Sequence, residues 1–233
     1  MASPKKWDSA GVLQRKQAAQ LLESYDSGRC RDLARRFVRN RTAMVPTMTV
    51  LRSVAYLDDT TLRADPRLKY IPAWYSLRWD PRQDFRFSQL TPEDWALRKR
   101  VHARQLEIAR LLREEGVTFL AGTDLANPYL FPGFSLHDEL ANLVSIGFTP
   151  AQAIRAATLV PAELLGATDS LGTVAQGKLA DLVLLDANPL ADIRNSTRIR
   201  AVVANGRLYE RAGLDTLFAQ GERRARAPAP GSR

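Results

Sequence analysis

The stretch from Thr91 to Asp124 constrains the fold of this chain more than any other part of it. Thr91-Pro92-Glu93-Asp94 opens a helix: the threonine hydroxyl can cap, proline suits the first turn, and two acids complement the positive end of the helix dipole. Leu97, Val101, Ile108, Leu111 and Leu112 supply an apolar stripe, and Gly116 stops the helix after Glu115. Val117 to Ala121 then read as a buried strand, closed by Gly122-Thr123-Asp124. Helix, glycine, apolar strand and an acid at the strand's C-terminal end is the order of a parallel α/β unit, so the expected fold class is α/β. In a (β/α)8 barrel the catalytic groups occupy that edge. Taken alone, the GTD tripeptide is equally a helix cap or a turn.

The flanking segments add elements on both sides. Residues 10 to 24 and 29 to 40 favour helix, the second with Leu33, Phe37 and Val38 at helical spacing. AMVPTMTVL at 43 to 51 is β-type, with Pro46 marking the strand's C-terminal end. Residues 56 to 91 form a long irregular excursion with six aromatics between Tyr70 and Phe87, too aromatic for disorder; these rings either pack in a core or interface or line and cover a substrate. Beyond Asp124, a helix is expected from Leu136 to Ile146. Thr149-Pro150-Ala151-Gln152 opens another with a capping box, bent near Pro161 and ended at Gly166. Leu182 to Leu185 and Ile199 to Val203 are strand-like, and Asn205-Gly206 signals a hairpin returning through Tyr209. The Pro/Ala/Arg-rich residues 222 to 233 are expected to be disordered.

Charge narrows the function classes. The chain carries 34 Lys and Arg against 25 Asp and Glu, net +9, which alone invites a nucleic-acid reading. The distribution weakens it, because acids outnumber Arg155 and Lys178 across 115 to 192. The excess lies in Arg29, Arg31, Arg35, Arg36, Arg39 and Arg41 and in the C-terminal tail, without the interleaved aromatics of a stacking platform. Solvated helix faces are therefore expected, with no nucleic-acid partner. The single Cys30 cannot form an internal disulfide and reads as inert. No apolar run reaches the roughly 18 residues of a membrane span, and the N-terminal stretch lacks the apolar core of a signal peptide, so a cytoplasmic location is expected.

Two spans carry a family resemblance. GTDLANPYLFPGFSLHDELANLVSIGFTPAQAIRAATLVPAELLG at 122 to 166, and LGTVAQGKLADLVLLDANPLADIRN at 171 to 195 followed by IRAVVANGRLY at 199 to 209, resemble the metal-dependent amidohydrolase superfamily. The branch is the one similar to imidazolonepropionase and metal-dependent dipeptidases; AMVPTMTVL matches the preceding barrel strand more weakly. The resemblance implies a partial (β/α)8 barrel over 1–172, its last strands and helices, and the C-terminal part of a small flanking β-sandwich over 173–210. A C-terminal helix and basic tail fill 211–233. It makes Asp124 the last-strand acid, which binds or faces a divalent metal, zinc above all, takes the proton of the hydrolytic water and passes it to the leaving nitrogen. Asn127 is the expected substrate contact.

The departures from that pattern are as informative. The superfamily's metal site also needs an H-x-H pair, two later histidines and often a lysine. Only His102 and His137 are present, the first expected on a helix surface and the second at a helix start beyond the metal shell. Catalytic zinc ordinarily takes three protein ligands plus water. The expectation is a hydrolase of carbon–nitrogen bonds in a small amide or dipeptide-like substrate, incomplete and inactive as this chain and not holding the metal by itself. Its rival is a non-catalytic scaffold or binding module derived from an amidohydrolase. At 233 residues the chain is shorter than the roughly 250 of a full barrel. Open strand edges predict poor solubility and allow a homo-oligomer.

Overall fold

The computed structural model describes residues 15–228. Residues 15–23 are helical (α1), and Ser27–Arg39 form α2, capped by the Asp26 carboxylate, which accepts from Arg29 N–H at 3.0 Å. The expected helix start at residues 10 to 14 lies outside the described residues. Strand β1, Ala43–Met44, is shorter than the 43 to 51 run suggested, because the chain turns at Pro46 and Thr47 and then enters helix α3, Met48–Ala55. Three features override the β-branched composition there. Proline cannot continue the ladder, Thr47 sits in the left-handed region at φ 46°, and a buried acceptor caps the helix that follows.

The aromatic excursion is ordered as a chain of short turns. Thr60–Ala64 and Pro66–Tyr70 are 3-10 turns capped by Asp59 and Asp65, α4 is Ala73–Ser76, and Leu77–Trp79 is a further 3-10 turn. A local device recurs: Asp65 with Arg67, Asp80 with Arg82 and Asp84 with Arg86. In each pair the carboxylate accepts from the backbone N–H and the guanidinium two residues on. Asp192 and Arg194 repeat it in the C-terminal half. The Arg82 guanidinium holds Asp80 down to about 2. Several arginines of this basic chain are thus local fasteners of turns, and Arg31 and Arg35 both reach Glu115.

Helix α5, Pro92–Glu114, opens with the expected Thr91 cap, here a full capping box with Asp94. Gly116, φ +85°, turns the chain into β2, Thr118–Phe119, which pairs in parallel with β1 through Ala43↔Thr118 and Met44↔Phe119. Helix α6 spans Phe134–Ser145 and α7 Pro150–Ala157, the latter with the Thr149/Gln152 capping box. The expected bend falls at Thr158 rather than at Pro161. A proline clashes with the carbonyl four residues earlier, here Ala157, so α7 ends there and Pro161 sits in the first turn of α8, Leu159–Leu164.

The last segment is a three-stranded antiparallel sheet of β3, Leu182–Leu185, β4, Ile199–Ala204, and β5, Arg207–Glu210, in the order β3-β4-β5. The Asn205-Gly206 hairpin forms as the sequence indicates, with φ +53° and +72°. Helix α9, Arg211–Ala225, corrects the reading of 222 onward as disordered. It packs back on the excursion, where Tyr70 contacts Phe134 and Phe218 at 5.5 Å each, and Lys69 lies 3.7 Å from Glu222. The remainder of that tail, 229–233, lies outside the described residues.

The main core gathers Ala34, Met48, Leu111, Leu112, Val117, Phe119, Leu140, Leu143, Ile146 and Ala156, so it joins α2, α5, α6 and α7 around the parallel pair. A second cluster, Leu57, Phe87 and Trp95, anchors the excursion on α5. Among the described residues no helix is long and apolar enough to cross a membrane.

Candidate functional site

The two parallel strands release their chains side by side, at Val45–Thr47 and Ala121–Asp124. Gly122 is required by that closeness: a Cβ there would overlap the Val45 Cγ1 methyl. Both turns hold non-glycine residues at positive φ, Thr47 after β1 and Asp124 (52°) and Ala126 (82°) after β2. Such conformations cost about 1–3 kcal/mol each and persist only where surrounding structure enforces them.

The structure brings together the two residues singled out from sequence. Asn127 Nδ2 donates to the Asp124 backbone carbonyl at 3.0 Å and to its carboxylate Oδ2 at 3.1 Å, closing the turn on itself. The loop is tied down further by Ser53, whose hydroxyl donates to the Pro128 carbonyl, and by Tyr75, whose hydroxyl donates to the Ala126 carbonyl at 3.4 Å. Asp124 is exposed at its rim, and beside it opens a cavity of about 480 Å³ between α1, α3 and α5, lined by both Asp124 and Asn127.

The excursion's aromatics mostly pack on one another. Trp79 is buried and lies 5.8 Å from Tyr75, 5.2 Å from Tyr129 and 5.9 Å edge-on from Phe131. Of the two roles left open for these rings, packing is the one observed; their contact with the Asp124 turn runs through Tyr75.

Neither histidine lies with Asp124. His102 corrects the expectation of a surface position: it is 6% exposed on α5 and edge-on to Tyr56 at 5.6 Å. Burial, reinforced by the Arg52 charge, pushes its pKa down. His137 on α6 places Nδ1 2.9 Å from the Ser196 hydroxyl, and burial lowers its pKa against the opposing pull of Asp138. Among the described residues no three His, Cys, Asp or Glu side chains stand close enough to hold a metal ion. Asp124 is paired with an amide N–H, a donor with no affinity for a cation. The residues present therefore do not fit a catalytic zinc site, which takes three protein ligands. Burial also raises the Cys30 thiol, opposed by Arg31.

One polar residue central to this region is not evident from sequence. Glu139 is fully buried, and its carboxylate accepts from Met48 N–H at 2.9 Å, Thr49 N–H at 2.7 Å and the Thr49 hydroxyl at 2.6 Å. Asn142 Nδ2 donates to that same hydroxyl at 3.1 Å. Glu139 thus caps α3 from another helix, satisfying N–H groups that Thr47, with no side-chain cap bond, leaves open. Its helix also carries His137, Asp138 and Asn142, so nothing local sets Glu139 apart, and its partners lie some 90 positions upstream.

Comparison with known proteins matches this geometry to a family. The Amidohydrolase family model matches residues 48–209. Over 130 residues the chain is 32% identical to ochratoxinase of Aspergillus niger, covering 54% of this chain and 26% of that protein. Over 84 residues it is 39% identical to adenine deaminase 2 of Agrobacterium fabrum (strain C58 / ATCC 33970), covering 36% and 13%. Among solved structures, a Xaa-Pro dipeptidase with bound methionine superposes with TM-score 0.53 at 26% identity, over 75% of this chain and 36% of that one. Bottromycin amidohydrolase shares the fold, with TM-score 0.61 at 24% identity, over 78% and 40%. The chain thus spans about a quarter or less of the curated relatives named and under half of these structures. A parallel strand pair followed by the Asp124 turn, the segments beyond it and the family match over 48–209 together show that this chain belongs to the amidohydrolase family.

Proposed function

We propose that β1 and β2 are the last two strands of a (β/α)8 barrel and that β3 to β5 belong to a flanking β-sandwich. On this reading the chain is the C-terminal portion of a hydrolase of carbon–nitrogen bonds in small amide or dipeptide-like molecules. The observation that carries it is the position of Asp124, just beyond the C-terminal edge of a parallel strand pair and at the rim of the cavity beside that edge, where barrel enzymes place their chemistry. Asp124 is the proton-accepting group. Its carboxylate takes a proton from the attacking water and returns it to the leaving nitrogen as the carbon–nitrogen bond breaks. Asn127 orients that carboxylate by donating to Oδ2, leaving acceptor capacity on the other oxygen.

Relatives in this family use divalent metals, but no step is assigned to one here, because the described residues do not form such a site. The chain alone is accordingly inactive. The test is turnover of N-acyl amino acids, Xaa-Pro dipeptides and aminopurines by the purified chain, with and without added zinc. No turnover and no stoichiometric zinc are expected. Zinc-dependent turnover lost in Asp124→Asn would overturn the incompleteness, and turnover surviving Asp124→Asn would overturn the role of Asp124.

A second reading, a non-catalytic binding module on an amidohydrolase scaffold, is favoured by the Asn127–Asp124 hydrogen bond, which engages the one candidate catalytic carboxylate. Stoichiometric zinc on the purified chain would sink it.

A further inference from the structure

The cavity beside Asp124 combines aliphatic walls with polar groups. Val50, Leu51 and Val54 of α3 face Leu97 and Val101 of α5 across it, and Ala18 of α1 contributes a third side. Spacings of three and four residues on each helix put these side chains on facing stripes. Only Val50 of the α3 trio is fully buried; Leu51, Val54, Leu97 and Val101 keep part of their surface open. At about 480 Å³ the cavity has the size of small-molecule pockets, which run roughly 300–1,000 Å³.

Among the described residues no aromatic ring lines this space; Trp79, Tyr75 and Tyr129 are packed against each other instead. Polar groups share the lining: Arg15 and Asp94, paired at 2.5 Å, with Gln17, Arg98 and Gln105. Asp124 also lines it, and one of its carboxylate oxygens accepts from Asn127. A carboxylate offers about four lone-pair directions, so Asp124 can accept further N–H donors.

We propose that this cavity binds the alkyl portion of an aliphatic amide or amine, with the ligand's N–H group donating to Asp124. The proposal rests on the placement of the reacting nitrogen at Asp124 and adds the class of group beside it: an aliphatic chain. Each methylene transferred from water into such walls is worth about fourfold in affinity.

The test uses the full chain in chelator-treated buffer, titrated calorimetrically with N-hexylacetamide, N-methylacetamide, n-hexylammonium and hexan-1-ol. N-hexylacetamide is expected to bind at least about tenfold tighter than N-methylacetamide, which corresponds to fewer than half of its extra methylenes being buried. n-Hexylammonium should bind more tightly than hexan-1-ol, and Asp124→Asn should remove that preference while sparing hexan-1-ol. Val101→Glu should abolish binding of the hexyl compounds. Leu51→Ala, a gentler change for a chain that must still fold, should weaken it several-fold at an unchanged far-ultraviolet spectrum. Equal affinity for the hexyl and methyl amides, or wild-type binding in both wall variants, would overturn the proposal. Because binding is read without turnover, failed hydrolysis leaves this result standing, and failed binding leaves the role of Asp124 to the turnover assay.

Discussion

Replacing Glu139 by glutamine changes one atom pair in a fully buried site, and its effect can be worked from three hydrogen bonds. The carboxylate accepts from two consecutive backbone N–H groups at the start of α3 and from the Thr49 hydroxyl, at 2.9, 2.7 and 2.6 Å. Glutamine keeps the volume but has one acceptor oxygen, so its NH2 group must face at least one of those donors. Losing one charge-assisted hydrogen bond costs about 1.5–3 kcal/mol, and losing the anion at a helix N-terminus about 0.3–1 kcal/mol more. The expected loss is therefore about 2–4 kcal/mol, a large part of the roughly 5–15 kcal/mol that holds a domain together. Urea unfolding followed by tryptophan fluorescence and by far-ultraviolet circular dichroism should show a lower midpoint with unchanged m. Glu139→Leu should be worse, because all three donors are stranded in an apolar site. Glu139→Gln within about 0.5 kcal/mol of wild type, or a leucine variant as stable as wild type, would refute the trans-cap reasoning. A double-mutant cycle with Thr49→Val isolates the hydroxyl contribution, expected at about 0.5–3 kcal/mol of coupling.

Gly122→Ala should destabilise by about 1–3 kcal/mol, since its Cβ would overlap Val45 at the join of the two parallel strands, and Gly122→Ala combined with Val45→Ala should recover most of that in the same unfolding assay. Gly206→Ala, at φ +72° in the β4–β5 hairpin with open space around it, should cost about 1 kcal/mol through backbone strain alone, leaving the sheet's circular dichroism intact once folded. Stability should also depend on pH near neutrality. Burial depresses the folded-state pKa of His102, and of His137, below the ordinary value near 6.5, so their stabilising contribution is complete above that pH. It is lost as pH drops from there through the folded-state values, where the native state must accept protons at buried rings, His102 beside Arg52. Unfolding midpoints at pH 7.5 and 5 should differ in that direction, and His102→Gln should flatten the difference; an unchanged slope would show that His102 is not buried as described.

The cue for the parallel α/β unit was local and therefore readable. Thr91, Pro92 and Gly116 fix the ends of α5 through capping, missing donors and a left-handed turn, and each acts within a few residues of itself. The same holds for the Thr149/Gln152 box and the Asn205-Gly206 hairpin. Asp124 and Asn127 stand out separately in the sequence, and the structure adds that they close one turn. By contrast, 43 to 51 misled. Its β-branched residues favour a strand, and only Glu139, brought over by α6, supplies the acceptor that lets Met48–Ala55 be helix.

His102 shows the same limit from the other side. A histidine flanked by Val101 and Ala103 on a charged helix reads as exposed, and it is buried only because Tyr56 and α3 lie over it. Likewise the basic charge looked like one property of the chain, yet much of it resolves into Asp-x-Arg fasteners set by local turns and into Arg31 and Arg35 meeting Glu115 across 80 residues or more. The sequence by itself determined the elements whose causes lie within one turn of chain: caps, glycine stops, the hairpin and the Asp124 turn. The tertiary structure alone decided where Glu139 and His102 are buried, which rings pack together and that aliphatic walls stand beside Asp124, because each depends on partners distant in sequence that only packing brings within reach.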